Sequence, residues 1–199
     1  NSEYRIRMSG LGRPICQQIL DKQGIEESMS YNTLFRFLFG DITESILMLI
    51  MKEAGVEVVD YQKEVELDLD GVTVRGTLDV ILRDEMGQDK VWDIKSASDW
   101  AFKQKFTGFE GYEGMKKDDP FGYVMQGFLY SEAVGLPFGG WIVVNKSSGE
   151  VAMVEVPDWS QDDKKEYLEE AKRRVKILTD PNVKPLKPYP DTFETYKRQ

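Results

Sequence analysis

The apolar and polar positions of this 199-residue chain follow two rhythms. A period of two, the mark of strands, runs through residues 57–69, 72–82 and 91–95, and returns at 140–145 and 150–156. Gly71 marks the turn between the first two strands. Asp84-Glu-Met-Gly-Gln88 is a turn by composition, so residues 72–95 are predicted to form a β-hairpin. Lys146-Ser-Ser-Gly149 joins the last two strands as a second hairpin. Elsewhere apolar residues recur every three or four positions. Helices are predicted over 13–22 and 31–54, between Pro120 and Gly135, and from Ser160 to Leu178. Ser160 and Asp163 form a capping box, and Leu168, Ala171, Val175 and Leu178 are the stripe that follows. The order of elements describes one α/β domain over residues 1–199, a mixed sheet with helices on both sides. Prolines 181, 185, 188 and 190 predict an extended tail over 179–199.

Alternation sorts the central hairpin into faces. Arg75, Thr77 and Asp79 fall on one side of the first strand, with Val74, Leu78, Val80 and Leu82 on the other. In the second, Val91, Asp93 and Lys95 share a face opposite Trp92 and Ile94. A hairpin that closes near Met86 sets Asp79 almost opposite Asp93. Like charges in that register destabilise a sheet unless a cation lies between them. Helix 31–54 is apolar on most of its circumference and is expected to be buried. It carries Glu44 on a face with Leu47, Met48 and Met51, while Ile42, Ile46, Leu49 and Ile50 cover the other side. A carboxylate in such company must be paired, protonated or metal-bound. The plainer alternatives are that Glu44 meets an arginine or lysine and serves only the fold, and that Asp79 and Asp93 are solvated strand residues.

Composition narrows the chemistry. The chain has no histidine and one cysteine, so zinc of the usual nitrogen and sulfur kind does not suit it. Carboxylate oxygens suit Mg²⁺ or Mn²⁺, which commonly share their coordination with substrate phosphates. A formal net charge of −9 opposes phosphate binding, although bound metal reverses the local field of an acidic cluster. Lys103, Lys105, Lys116 and Lys117 lie in a segment, 99–119, that interleaves them with Trp100, Phe102, Phe106, Phe109 and Tyr112. Alternating rings and cations can stack bases and hold phosphates; the same pattern also describes aromatics that merely cap a core. No apolar run spans a bilayer and no signal-peptide pattern opens the chain, so a cytoplasmic site and no membrane partner are expected.

Four blocks in order resemble the PD-(D/E)xK nuclease superfamily, and within it the RecB-like exonucleases. They are Gly40 with the helical acid Glu44, Gly76-Thr-Leu-Asp79, Asp93-Ile-Lys95 followed by Ser96, and Gln126 with Tyr130 four residues later. Ser9-Gly-Leu-Gly-Arg-Pro-Ile-Cys16 is also similar to the opening of many members. The resemblance implies a restriction-endonuclease-like core and a metal-dependent DNA exonuclease. Glu44, Asp79, Asp93 and the Ile94 carbonyl would ligate Mg²⁺ or Mn²⁺, and Lys95 would orient the attacking water. Gln126, Tyr130, Arg75, Ser96, Lys103 and Lys105 are the candidate substrate contacts. Some relatives hold an iron–sulfur cluster with four cysteines; Cys16 stands alone, so no such cluster can form here, and a buried apolar role is expected.

By the same resemblance the expected partner is DNA with free ends, single- or double-stranded, and conceivably a recombination protein. The setting would be recombination, repair or phage DNA processing in a bacterial or phage-infected cell. The sequence shows no signature of an oligomeric state. Competing readings are a structure-dependent endonuclease on the same core, a DNA-binding module with a relic site, and an acidic α/β protein with chance motifs.

Overall fold

The computed structural model describes residues 4–24 and 30–184; the tail beyond Lys184 lies outside them. Five strands form one sheet in the order β1 (Val58–Leu69), β2 (Val72–Arg83), β3 (Asp89–Ala97), β4 (Phe138–Asn145) and β5 (Val151–Glu155). All neighbours are antiparallel except β3 and β4, whose parallel pairing requires a crossover. The crossover comprises α4 (Asp99–Ala101), one wide π-helical stretch (Phe102–Phe106), α5 (Gly111–Lys117) and α6 (Tyr123–Val134). Before the sheet come α1 (Met8–Leu11), α2 (Ile15–Lys22) and α3 (Tyr31–Glu53); α7 (Gln161–Thr179) follows it. The mixed α/β architecture read from the sequence is the one observed.

Local chemistry explains most boundaries. Pro14 separates α1 from α2, so the helix expected over 13–22 begins at Ile15, and the short α1 before it is an addition to that expectation. Both members of the capping box at Ser160 and Asp163 are formed. The helix expected from Pro120 starts at Tyr123, because the Asp119 carboxylate accepts from the N–H groups of Tyr123 and Val124 at 2.8 and 2.9 Å. It ends at Gly135, whose φ of 68° fits a left-handed cap.

The two faces of the sheet are covered unequally. On one, residues such as Leu78, Val91, Phe128, Leu129, Trp141 and Val175 form a continuous core with α1, α2, α6 and α7. On the other, Val80, Leu82, Trp92, Ile94, Ile142 and Val144 are covered only by Leu47, Met48 and Met51 of α3, with Val58 alongside. Two expectations need correction here. Val74 and Leu78 join the first core whereas Val80 and Leu82 join the second, so β2 changes face between Leu78 and Val80. Helix α3 is also not buried: Leu34, Phe35, Phe37, Leu38, Ile42, Ile46, Leu49 and Ile50 are all exposed. Its inward face is only as wide as the sheet it touches, and among the described residues no other element lies over the remainder.

Candidate functional site

The face change in β2 occurs at Asp79. The hairpin pairs Val80 with Trp92 and Arg83 with Asp89, so its register carries Asp79 towards Asp93, as the turn position predicts. Pairing stops at Val80, and beyond it Asp79 turns its carboxylate to accept from the Ile94 N–H at 2.6 Å. On the other side β1 pairs Tyr61 with Val80 and Lys63 with Leu78 in one unbroken register, and the residue opposite Asp79 is left unpaired. The residue left out is Gln62, at φ 48°, and its side-chain amide donates to Glu44 on α3. A local break in both ladders thus admits a helical acid to the edge of the hairpin.

Asp93 is 1% exposed. Its Oδ2 faces Lys95 Nζ at 2.7 Å, yet among the described residues it receives no hydrogen bond of acceptable geometry. The ammonium is held from three directions. It donates to Gln126 Oε1 at 3.2 Å, lies 4.7 Å from the centre of the Tyr123 ring, and pairs with Asp93. Gln126 Nε2 in turn donates to the Tyr130 hydroxyl at 3.1 Å. Gln126 and Tyr130 are one helical turn apart, which is why they act on the same chain of contacts. Gly76 makes the last link possible: a Cβ there would lie 2.8 Å from Tyr130 Cε1 and 3.0 Å from Met8.

Electrostatics bind the acids together. Burial, and then the charge of Asp93, push the Asp79 carboxyl up to about 10, so it carries a proton at neutral pH. Burial also raises Glu44, against a hydrogen bond with Asp79 that pulls it down, and Asp93 raises it further. For Lys95, burial alone would lower the pKa; Asp93, Tyr123 and Asp79 together hold it above the usual lysine range. Burial raises Tyr130, and Asp93 adds to the effect, so its hydroxyl stays neutral. The cluster carries more negative charge than one ammonium neutralises, and it relieves the excess by binding a proton.

One cavity of about 1280 Å³ contains Glu44, Asp79, Asp93, Ile94, Lys95, Gln126, Tyr130 and Arg75. The other candidates lie elsewhere. Ser96 and Lys105 line a separate pocket of about 200 Å³, and Lys105 pairs with Asp118 at 3.3 Å. Lys103 pairs with Asp99 at 2.9 Å on the surface. Arg75 pairs with Glu66 at 2.8 Å on the cavity rim. Of the aromatics in 99–119, Phe102, Phe106 and Tyr112 are core residues, and only Trp100 and Phe109 are exposed. Cys16 is a buried free thiol. Sequence reading missed Gln62, Tyr123 and the amino-terminal Tyr4, Arg5 and Arg7 that border the cavity. Tyr123, three residues before Gln126 on the same helix face, was within reach of that reasoning; Gln62 was not, because nothing in the sequence announces the skipped pairing.

The candidate ligands are all oxygens, three carboxylates and the Ile94 carbonyl, and Asp93 Oδ2, ion-paired with Lys95 but without a hydrogen bond, has capacity for a cation. Among the described residues, however, no three acids converge into a group that could hold a metal ion.

No protein-family model and no curated protein matches the chain. Among solved structures, the crystal structure of SSO0001 is similar with a TM-score of 0.57 and 17% identity. The likeness covers 91% of this chain and 80% of that one, and at such identity it speaks for the fold alone. No helix among the described residues is long and apolar enough to cross a membrane.

Proposed function

We propose that this chain is a metal-dependent deoxyribonuclease that hydrolyses phosphodiester bonds, acting as an exonuclease in recombination, repair or phage DNA processing. The observation that carries the reading is the junction of Asp79, Asp93 and Lys95 with Glu44, Gln126 and Tyr130 in a single cavity. Four sequence blocks far apart in the chain meet there. Mg²⁺ or Mn²⁺ held by Glu44, Asp79 and Asp93 would supply Lewis acidity and a nucleophilic water at neutral pH. The chain's own residues do the rest. Lys95, fixed by Gln126 and Asp93, presents a permanent cation to the charge that develops on the phosphoryl group. Gln126 and Tyr130 hold that ammonium at a constant position and offer polar atoms to the substrate. Arg5, Arg7 and Arg75 on the rim give a net-acidic protein a local footing for the phosphate backbone. A DNA enzyme of this kind belongs in the cytoplasm of a bacterial or phage-infected cell.

The test is digestion of end-labelled linear DNA and of covalently closed circles, with and without Mg²⁺ or Mn²⁺. Metal-dependent loss of the linear substrate alone supports the exonuclease; cleavage of circles moves the assignment to an endonuclease. Lys95→Ala is expected to reduce cleavage at least about 10³-fold with an unchanged circular dichroism spectrum. Full activity in that variant would remove Lys95 from the chemistry.

A second reading is a DNA-binding module with a relic site, and its support is that no metal-holding group of acids converges among the described residues. Calorimetric titration with Mn²⁺ separates the two: binding lost in Asp93→Asn supports the enzyme, and no binding in the unaltered protein supports the relic.

A further inference from the structure

Helix α3 spans 23 residues and, at about 1.5 Å per residue, is roughly 34 Å long. Its apolar contact with the sheet runs through Leu47, Met48 and Met51, while Glu44 and Lys52 reach Gln62 and Tyr61 of β1. Directly opposite that contact runs a second seam: Tyr31, Phe35, Leu38, Ile42, Ile46 and Leu49, each between 48% and 77% exposed. The seam closes one step later at Glu53. Steps of four and three residues make a straight apolar ridge of the kind that packs helix against helix. The rings of Tyr31, Phe35 and Phe39 already stack along it at 6.3 and 6.4 Å.

The spacing says what the seam fits. Counted from Ile42, apolar positions fall at four and seven residues in both directions, and the ends at eleven are Tyr31 and Glu53. A seam that reads the same both ways meets the condition for an isologous contact, in which residue i touches j and j touches i. Two antiparallel copies crossing at Ile42 set Phe35 against Leu49, Leu38 against Ile46, and the Tyr31 hydroxyl beside the Glu53 carboxylate. Counting the flanking Leu34, Phe39 and Ile50, the exposed side chains offer on the order of 900 Å² per chain, given roughly 150–250 Å² for a large side chain. A stable interface needs about 800 Å² from each partner. A membrane surface suits the helix poorly, because Asp41, Glu44 and Glu53 outnumber Arg36 and Lys52, and interfacial helices carry basic polar faces.

We propose that the outward face of α3 pairs two copies of this chain about a two-fold axis through Ile42. The proposal stands apart from the nuclease reading, since no candidate site residue lies on the seam. The test is sedimentation velocity of the full chain at micromolar concentration. The expected species has twice the chain mass of 22.9 kDa. Ile42→Asp, which brings two carboxylates together at the axis, should weaken association at least about a hundredfold. Should that variant fail to fold, Ile42→Cys decides: mild oxidation should link it to its own copy across the axis. Met86→Cys, in the exposed β2–β3 turn, and the unaltered chain with its buried Cys16 should remain unlinked. A monomer throughout the concentration range overturns the proposal, and so does a folded Ile42→Asp that dimerises as before. Monomer that instead binds phosphatidylcholine–phosphatidylglycerol vesicles through this face overturns it too.

Discussion

The two faces of the sheet differ in how they are finished, and the candidate site straddles the difference. On one side, α1, α2, α6 and α7 close over Phe128, Leu129 and Trp141, none of which has measurable exposure. On the other, three side chains of α3 do the covering, and Val151 and Met153 of the edge strand stay exposed beside Ile142 and Val144. Asp93, Lys95, Gln126 and Tyr130 are rooted in the first side; Glu44 rides on the second. The cluster therefore joins a rigid half, fixed by a deep core, to a half whose position depends on a lightly seated helix. That division brings Glu44 to the strand acids on an element of its own, through the hydrogen bond from Gln62.

The largest expected effects measure the two cores against each other. Phe128→Ala removes a ring that packs on Trp159 and Tyr167 at 5.9 and 5.5 Å and leaves a void no neighbour can fill, at a cost of about 3–5 kcal/mol. Leu47→Ala, beneath α3, should cost less, about 2–3 kcal/mol, because the helix can settle onto the sheet. Urea denaturation gives both numbers. Equal costs, or a larger one for Leu47→Ala, would end the contrast between a deep face and a shallow one. Gly76→Ala follows at about 1–3 kcal/mol, since its new methyl must displace Tyr130 or Met8. It should lower thermal stability and disturb the contact between Gln126 and Tyr130; an unchanged melting temperature would show that the ring moves aside freely.

What the sequence disclosed follows the same division. The turn at Asp84–Gln88 and the capping box are local, and each is found where local chemistry puts it. The register of Asp79 and Asp93 was legible because a hairpin's turn fixes its pairing. The shared cavity of Gln126, Tyr130 and Lys95 came from the resemblance to a known family, since no periodicity relates a helix to a strand thirty residues before it. Three things stayed hidden for physical reasons. The face change at Asp79 accompanies a loss of pairing with both neighbouring strands, which β2's own residues do not announce. Gln62 is drawn to Glu44 by that same break. The exposure of α3 was misread because an apolar helix is ordinarily a buried one. The rule concerns what a helix requires, and a partner chain meets the requirement as well as a core does.

The last effect concerns the proton that burial and Asp93 place on Asp79. Asp79 has a folded-state value of about 10, against roughly 3.9 for an unfolded chain. Between those limits the folded state binds more protons than the unfolded one, so this group makes stability fall as pH rises. Lys95 adds nothing in the range 5 to 8, because a raised lysine value is felt only near and above its unfolded value of about 10.4. Asp79→Asn keeps the shape of the protonated acid without its titration. It should stabilise the metal-free protein more at pH 8 than at pH 5, flattening the profile. Adding Mn²⁺ should reverse the order. The unaltered protein gains stability that grows with pH, because the ion must displace the proton, and the variant gains little. Thermal unfolding of both proteins at pH 5 and pH 8, with and without Mn²⁺, measures all four quantities. If Asp79→Asn falls with pH as steeply as the unaltered chain, Asp79 is ionised in the fold, and the relief of crowded charge must come from Lys95 and Gln126 instead.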